Sequence, residues 1–194
     1  MENNQNSYIQ DIFKISIYKK FLPLNNKPIK EYCLNLKKEN KGRIRSNSGG
    51  WQSNDLSHES LNDLYSCINI IANDFAKELN LKKKLSIDNI WVNINGYKDS
   101  NKTHSHPQSI LSGVYYVKTP KNSGNIFFNN TSDDVIQHSW QKNLFNNYNC
   151  YNSPEWFLPS LEGYIYLFPS WLKHYVEPNM NEKEERISLS FNIK

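Results

Sequence analysis

The chain has few cysteines for its length, and their placement excludes a disulfide framework. Cys33, Cys67 and Cys150 are the 3 cysteines among 194 residues, and no Cys-x-x-Cys pair occurs. An odd, widely spaced set does not match the paired cysteines of small secreted domains. A chain of this length can bury a core without such cross-links, so we expect a protein of a reducing compartment.

Long apolar runs and a strong excess of one charge are also lacking. No apolar stretch approaches the ~20 residues of a membrane-spanning helix, and residues 1–6 lack the basic-then-apolar pattern of a signal peptide. The 23 basic and 19 acidic residues give a net charge of +4 and are scattered along the chain. We therefore predict a cytoplasmic protein without a nucleic-acid or membrane partner.

The residue pattern changes from helical to β-like near residue 84. Apolar residues at helical spacing predict one helix that begins near Pro28 and a second over residues 57–79. After residue 84, short β-rich runs separated by Pro and Gly predict strands. These runs are residues 90–95, 104–106, 111–118, 125–129, 163–168, 174–176 and 186–193.

Many short strands after helices indicate a sandwich or barrel that helices close on one side. We therefore predict a mainly β fold, a double-stranded β-helix (jelly roll) with N-terminal helices packed on one side. No internal repeat or second core is evident, which predicts a single domain over residues 1–194. In it, residues 1–84 form a helical support region and residues 85–194 the jelly-roll core. Residues 46–53 are expected to form a loop, and the polar residues 129–158 a long loop or lid.

Three of the 5 histidines form a close pair and a distant partner. His104 and His106 are spaced i, i+2, which places two side chains on one face of a β-strand. A later strand can then bring His174 across to the same ion. Imidazole binds Fe, Zn, Cu and Ni, so the histidines alone predict a metal centre without selecting the metal. Arg186 follows His174 by 12 residues, and this order is the one used by non-haem iron oxygenases.

Four segments carry a resemblance to a known family. They are residues 47–53 (NSGGWQS), 104–116 (HSHPQSILSGVYY), 167–174 (LFPSWLKH) and 186–193 (RISLSFNI). From about residue 46 to residue 193 the chain resembles the 2-oxoglutarate/Fe(II)-dependent oxygenase superfamily. The most similar members are a group of small, mostly phage and marine bacterial proteins.

The resemblance implies Fe(II) as the cofactor and 2-oxoglutarate as the cosubstrate. His104 takes the place of the first iron ligand and His174 that of the last. Arg186 resembles the basic residue that pairs with the distal carboxylate of 2-oxoglutarate, a task that suits the planar guanidinium. Tyr116 matches a tyrosine that prolyl hydroxylases use on the cosubstrate. Ser188 lies two residues after Arg186, on the same face of the predicted strand, and is expected to add a hydroxyl contact.

Position 106 departs from the superfamily pattern. Most members have Asp or Glu two residues after the first histidine, which completes a two-histidine, one-carboxylate triad. Here the residue is His106, which we expect to be the third metal ligand. Two alternatives stay open. In the first, His106 does not bind the metal, which is held by two histidines and water. In the second, Asp99 or Asp133 approaches from a loop as the third ligand.

Two asparagines and two further histidines bear on the same site. Asn93 and Asn95, on the strand that is predicted before the histidines, are candidates for the cosubstrate pocket. His58, near a predicted helix start, and His138, in the polar loop, are expected not to bind metal.

Three functions follow from these patterns. The first is a 2-oxoglutarate- and Fe(II)-dependent dioxygenase that hydroxylates a small molecule or peptide, with His104, His106, His174 and Arg186 as its catalytic residues. The second is a three-histidine metal dioxygenase that does not use 2-oxoglutarate, which the third histidine favours. The third is a non-catalytic jelly-roll binding protein, for example a phage structural protein, which the missing carboxylate permits.

Overall fold

The structure is a computed structural model that describes residues 9–194. Residues 1–6, whose sequence predicts no signal peptide, lie outside the described residues. Within residues 9–194, no helix has both the length and the apolar character that crossing a bilayer requires.

Three α-helices and eleven strands occur in the described part of the chain. The helices are α1 (Asn26–Glu39), α2 (Asn62–Glu78) and α3 (Asp133–Ser139). The strands are β1 (Tyr18–Phe21), β2 (Asn47–Ser48), β3 (Trp51–Gln52), β4 (Ile87–Asn95), β5 (Ser100–His104), β6 (Leu111–Lys118), β7 (Ile126–Asn129), β8 (Glu155–Leu158), β9 (Tyr164–Pro169), β10 (His174–Val176) and β11 (Arg186–Ile193).

The strands form two antiparallel sheets that pack face to face. The six-stranded major sheet has the order β1-β9-β6-β11-β4-β3, and the five-stranded minor sheet has the order β2-β5-β10-β7-β8. Aromatic side chains join their inner faces, as where the rings of Phe128 and Phe168 lie 5.0 Å apart. This arrangement confirms the predicted mainly β, jelly-roll architecture.

The outer face of the major sheet carries the main hydrophobic core. Alternate residues of β11, such as Leu189 and Phe191, point outward, where Ile68 and Phe75 of α2 are buried in the same cluster. The period of 2 in the strands and the 3.6-residue period of α2 place these apolar side chains on facing surfaces. Helix α1 contributes Ile29 and Cys33 to the same cluster. The N-terminal helices α1 and α2 therefore pack on one side, as predicted, and the inner face of the sheet is left for polar residues.

Helix α1 is tied to the major sheet at its first residue. The Asn25 side chain caps the helix by accepting a hydrogen bond from the Lys27 N–H. Asn26 accepts a hydrogen bond from the buried Tyr115 hydroxyl at 2.7 Å and donates one to the Val117 carbonyl at 3.1 Å. The helix start near Pro28 was predicted correctly, because proline suits the first turn of a helix.

Three segments differ from the predictions. Residues 46–53 are not only a loop, because the short strands β2 and β3 form there. Strand β2 belongs to the minor sheet and β3 to the major sheet. Gly49 and Gly50, with φ of +70° and +65°, connect the two strands. Residues 129–158 contain α3 and the edge strand β8 instead of a continuous loop. The predicted strand over residues 104–106 is wrong, because β5 ends at His104 and His106 follows in a turn region.

Candidate metal centre

Two of the three predicted ligands face each other across neighbouring strands. His104 on β5 is paired in register with His174 on β10, so both side chains project from the same face of the minor sheet. His106 lies beyond the end of β5, where its backbone N–H donates to the Ser170 carbonyl at 2.9 Å. The turn at Ser170 therefore brings His106 to the pair, although the strand that was expected to do so has ended.

The three imidazoles form one cluster. Their candidate ligand nitrogens all lie within 4.8 Å of one another, and His106 Nε2 is 3.3 Å from His174 Nε2. Two nitrogens that each lie about 2.1 Å from one ion are about 3 Å apart when their bonds meet near a right angle. The spacing of the cluster therefore fits a shared metal ion.

The backbone fixes the orientation of two of these rings. His104 Nδ1 lies 2.7 Å from the Lys102 carbonyl, and His174 Nδ1 lies 2.9 Å from the Leu172 carbonyl. Each Nδ1–H donates to a carbonyl two residues earlier, which leaves Nε2 with a free lone pair. Hydrogen bonds of this kind are how proteins commonly orient a metal-binding histidine.

The surroundings keep the cluster uncharged at neutral pH. Burial, together with the neighbouring His104, lowers the pKa of His174 to about 3 and that of His106 to about 4. Burial also lowers the pKa of His104. Because a neutral imidazole is the form that binds metals, all three residues are available as ligands without prior loss of a proton.

A small cavity of about 30 Å³ extends from the histidines into the space between the sheets. His104, His106 and His174 border it at one end, and Arg186 borders it at the other. The further lining residues are Ser46, Trp91, Asn93, Asn101, Gly113, Val114, Tyr116, Ile126, Phe168, Val176, Ser188 and Ser190.

Arg186 is a buried cation without an anionic partner among the described residues. Its side chain is 1% exposed, and Nη1 donates to the carbonyls of Ser123 and Glu177. Nη2 is buried and has no hydrogen-bond partner. Burial lowers the pKa of the guanidinium, but arginine stays protonated in proteins. A buried charge of this kind is costly unless hydrogen bonds or an anion compensate it.

The other predicted cosubstrate residues divide into two groups. Tyr116, Ser188 and Asn93 line the cavity, and the buried Tyr116 hydroxyl has no hydrogen-bond partner. Asn93 donates to the Ser190 hydroxyl at 3.0 Å. Asn95 is buried but does not border the cavity, and its backbone carbonyl accepts from the Asn179 side chain.

Asp99 and Asp133, the alternative ligands, form hydrogen bonds elsewhere. Asp99 accepts a hydrogen bond from the Gly96 N–H at 2.8 Å and so closes the turn after β4. Asp133 lies in the first turn of α3 and accepts from Gln137 at 2.6 Å. Within residues 9–194, the cluster with metal-binding geometry contains the three histidines alone.

The histidines that were expected not to bind metal also lie elsewhere. His58 caps a short 3-10 helical turn and stacks on Tyr32, with 4.0 Å between the ring centroids. His138 lies in the last turn of α3, outside the metal-binding cluster.

Two aromatic residues beside the metal-binding cluster were missed by the sequence analysis. The Trp91 ring lies 5.8 Å from that of His106, and the Phe168 ring packs edge-on against His174 at 4.7 Å. Trp91 is two residues from Asn93 on the same strand, so the alternation of side chains along β4 is the signal that could have placed it on the face of Asn93.

Comparison with known proteins gives a family and a fold. Residues 89–192, more than half of the chain, match a family model described as "Putative 2OG-Fe(II) oxygenase". No curated protein matches the chain in sequence.

Among solved structures, a prolyl-4-hydroxylase from Pseudomonas putida is 12% identical, with a TM-score of 0.64 and coverage of 93% of this chain and 92% of that one. A viral collagen prolyl hydroxylase from Paramecium Bursaria Chlorella virus-1, solved with 2OG, is 12% identical, with a TM-score of 0.58 and coverage of 91% and 94%. The α-ketoglutarate-dependent carbocyclase SnoK from nogalamycin biosynthesis is 14% identical, with a TM-score of 0.64 and coverage of 92% and 79%. At these identities the similarity shows the fold.

Proposed function

Because the chain belongs to the family of 2OG-Fe(II) oxygenases, we propose that His104, His106 and His174 hold its Fe(II) and that Arg186 binds the distal carboxylate of its 2-oxoglutarate. When bound, the iron and 2-oxoglutarate supply the oxidative decarboxylation to succinate that activates dioxygen for hydroxylation of a C–H bond. The residues of the chain orient both groups and exclude bulk water from the cavity.

The unpaired, buried guanidinium of Arg186 carries this proposal. Three neutral imidazoles at one end of the cavity suit a divalent metal, and a cation at the other end suits a dicarboxylate that reaches from it to the metal. The Tyr116 hydroxyl and Arg186 Nη2 are both buried without partners, and both can donate to a carboxylate. Ser188 borders the same part of the cavity and adds a hydroxyl.

Binding of the cosubstrate requires some lining side chains to move. The cavity of about 30 Å³ has room for about two water molecules, which is less than the volume of 2-oxoglutarate. Asn93 and Ser190 now hydrogen-bond to each other on adjacent strands, and both can turn toward an entering carboxylate.

The test is anaerobic reconstitution of the purified protein with Fe(II) and 2-oxoglutarate. We expect a metal-to-ligand absorbance band and, after oxygen is admitted, formation of succinate. Arg186→Ala should raise the apparent Kd for 2-oxoglutarate at least about tenfold, since charge-assisted hydrogen bonds contribute roughly 1.5–3 kcal/mol each. The same variant should bind the metal alone as the wild type does.

Absence of both the band and succinate from the wild-type protein would reject the proposal. A second candidate, the three-histidine dioxygenase without 2-oxoglutarate, is favoured by the position of His106 in the cluster. Metal-dependent activity that does not change on addition of 2-oxoglutarate or in Arg186→Ala would support that candidate instead.

A further inference from the structure

The strands that surround the three histidines carry no acidic residues. No aspartate or glutamate occurs in residues 100–132, 163–176 or 186–194, which contain β5, β6, β7, β9, β10 and β11. Among the described residues, those that line the cavity include a cation, Arg186, but no carboxylate. Tyr116 is the lining residue that could still become an anion, and burial raises the pKa of its hydroxyl. The walls of the cavity therefore supply no negative charge at neutral pH.

Two carboxylates lie outside the cavity, at the Arg186 end. Burial lowers the pKa of the guanidinium, and the charges of Asp99 and Glu177 oppose that shift. Both carboxylates accept hydrogen bonds from the backbone, Asp99 from the Gly96 N–H at 2.8 Å and Glu177 from the Asn125 N–H at 3.0 Å. Within residues 9–194, no carboxylate raises the pKa of any of the three histidines. The histidine end therefore has no acidic group of its own.

A metal ion at the histidine end keeps a positive charge even when the cosubstrate is bound. Imidazoles that bind a metal are neutral, so three of them leave both charges of a divalent ion uncancelled. In the proposed function, one carboxylate of 2-oxoglutarate lies at Arg186 and the other lies near the metal. The second carboxylate cancels one of the two charges. An enclosed net charge is costly unless an opposite charge approaches, so the loaded site favours an anion.

The histidine end is also the end that solvent reaches. His104 and His106 are partly exposed, whereas Arg186 is 1% exposed. Ser46, which lines the cavity beside β5, accepts a hydrogen bond from the Asn101 side chain at 3.3 Å. Its own O–H is then free to donate to a bound anion. A molecule that enters from solvent therefore meets the uncompensated charge first.

We propose that the substrate of this oxygenase is an organic monoanion whose carboxylate lies at the histidine end of the cavity. This inference rests on the proposed function, which supplies the metal and the dicarboxylate. His106 is the cause of the preference, since an aspartate or glutamate at this position would already cancel the remaining charge. A neutral substrate lacks this attraction, and a cationic substrate is repelled.

The test compares acetate with acetamide, which have nearly the same shape and differ by one charge. The protein is loaded with Co²⁺ and saturated with 2-oxoglutarate, and oxygen is excluded to prevent turnover. The methyl proton resonance of each probe is followed during titration, with the Zn²⁺-loaded protein as the diamagnetic reference. We expect acetate to bind at least about tenfold more tightly than acetamide, because two opposite charges a few ångströms apart attract more strongly than a tenfold ratio requires.

Two variants of His106 provide a matched control for charge. The side chains in His106→Asp and His106→Asn have nearly the same shape, but only the aspartate adds a negative charge. At equal Co²⁺ occupancy, His106→Asp should raise the Kd of acetate at least about tenfold, whereas His106→Asn should leave it within about threefold of the wild-type value.

Three results would overturn the inference. They are equal Kd values for acetate and acetamide in the wild-type protein, equal Kd values for acetate in the two variants, and a Kd for acetate that rises in proportion to the 2-oxoglutarate concentration. In the last case acetate would occupy the place of the cosubstrate. The absorbance band with Fe(II) and 2-oxoglutarate tests the proposed function separately, so a protein that shows the band without preferring acetate refutes this inference alone.

Discussion

His106 differs from its two partners in what holds its ring. His104 and His174 each donate Nδ1–H to a backbone carbonyl, whereas the polar contact of the His106 ring is with His174 Nε2 at 3.3 Å. Two nitrogens with lone pairs facing each other repel, so this contact needs either a proton on one of them or a cation between them. A metal ion bound by all three rings removes that repulsion.

We expect His106→Ala to weaken binding of Zn²⁺ or Fe(II) at least about a hundredfold, as loss of one of three ligand bonds requires. The measurement is a competition titration against a chromophoric chelator at pH 7.5, with His104→Ala and His174→Ala beside it. His58→Ala is the control, because His58 is exposed and stacks on Tyr32 away from the cavity. If His106→Ala bound the metal with wild-type affinity, His106 would not be a ligand and two histidines would hold the metal.

For individual residues, the sequence predicted which histidines cluster, but not which contacts bring them together. The i, i+2 spacing suggested a shared strand, yet β5 ends at His104 and a hydrogen bond to Ser170 positions His106. The carbonyls of Ser123 and Glu177, which hold Arg186, also have no sequence signature. Backbone groups are the same at every residue, so only the fold reveals which of them serve a site.

Strand β6 passes unusually close to its neighbours at Gly113. A Cβ atom at this residue would lie 2.4 Å from Phe191 Cζ on β11 and 2.6 Å from the Tyr166 carbonyl on β9. Both neighbours belong to the middle of the major sheet, and Phe191 is fully buried, so neither can move away without disturbing the core. The close packing of β6 therefore depends on glycine here.

Gly113→Ala should lower the free energy of unfolding by about 1–3 kcal/mol, the usual cost of overpacking a core. Urea denaturation followed by circular dichroism measures this change. Gly96→Ala is a suitable control, because its Cβ would meet only Asp99 Oδ2, at an ordinary 3.4 Å. If both variants had the stability of the wild type, the close approach at Gly113 would be refuted.

The elements that the sequence predicted best lie in its β-rich half. Strands β6, β10 and β11 begin and end at the predicted residues, and each ends before a polar residue, Thr119, Glu177 or Lys194. Strand β8 was missed, since it is a short edge strand between polar segments, where alternation is weak. Strands β2 and β3 were missed because two residues beside a Gly-Gly pair give no periodic signal.

In the whole molecule, the cluster of three histidines brings separate parts of the chain together. His104 and His174 belong to adjacent strands, while His106 belongs to the segment between β5 and β6. The division into residues 1–84 and 85–194 stays a prediction. Strands β1, β2 and β3 precede residue 85 and pair with strands that follow it.

Metal binding should therefore stabilise the whole fold. A ligand that binds only the folded state adds about 2.7 kcal/mol at a free concentration of 100 times its Kd. For a chain of this size we expect Tm to rise by about 5–10 °C with Zn²⁺, measured by differential scanning calorimetry, and to fall again with EDTA. His174→Ala should show no such rise. A wild-type Tm that is indifferent to both additions would contradict a shared metal site.

The carbonyl contacts of Lys102 and Leu172 have a consequence for how this protein can diversify. Because main-chain atoms orient two of the imidazoles, no side-chain exchange elsewhere in the cavity removes those contacts directly. Mutations that reshape the surroundings, including Trp91 and Phe168, can then accumulate while the rings keep their tautomers. Residues that select the substrate can therefore change while the orientation of the two imidazoles is retained. This is a favourable starting point for evolving or engineering new reactions on the same scaffold.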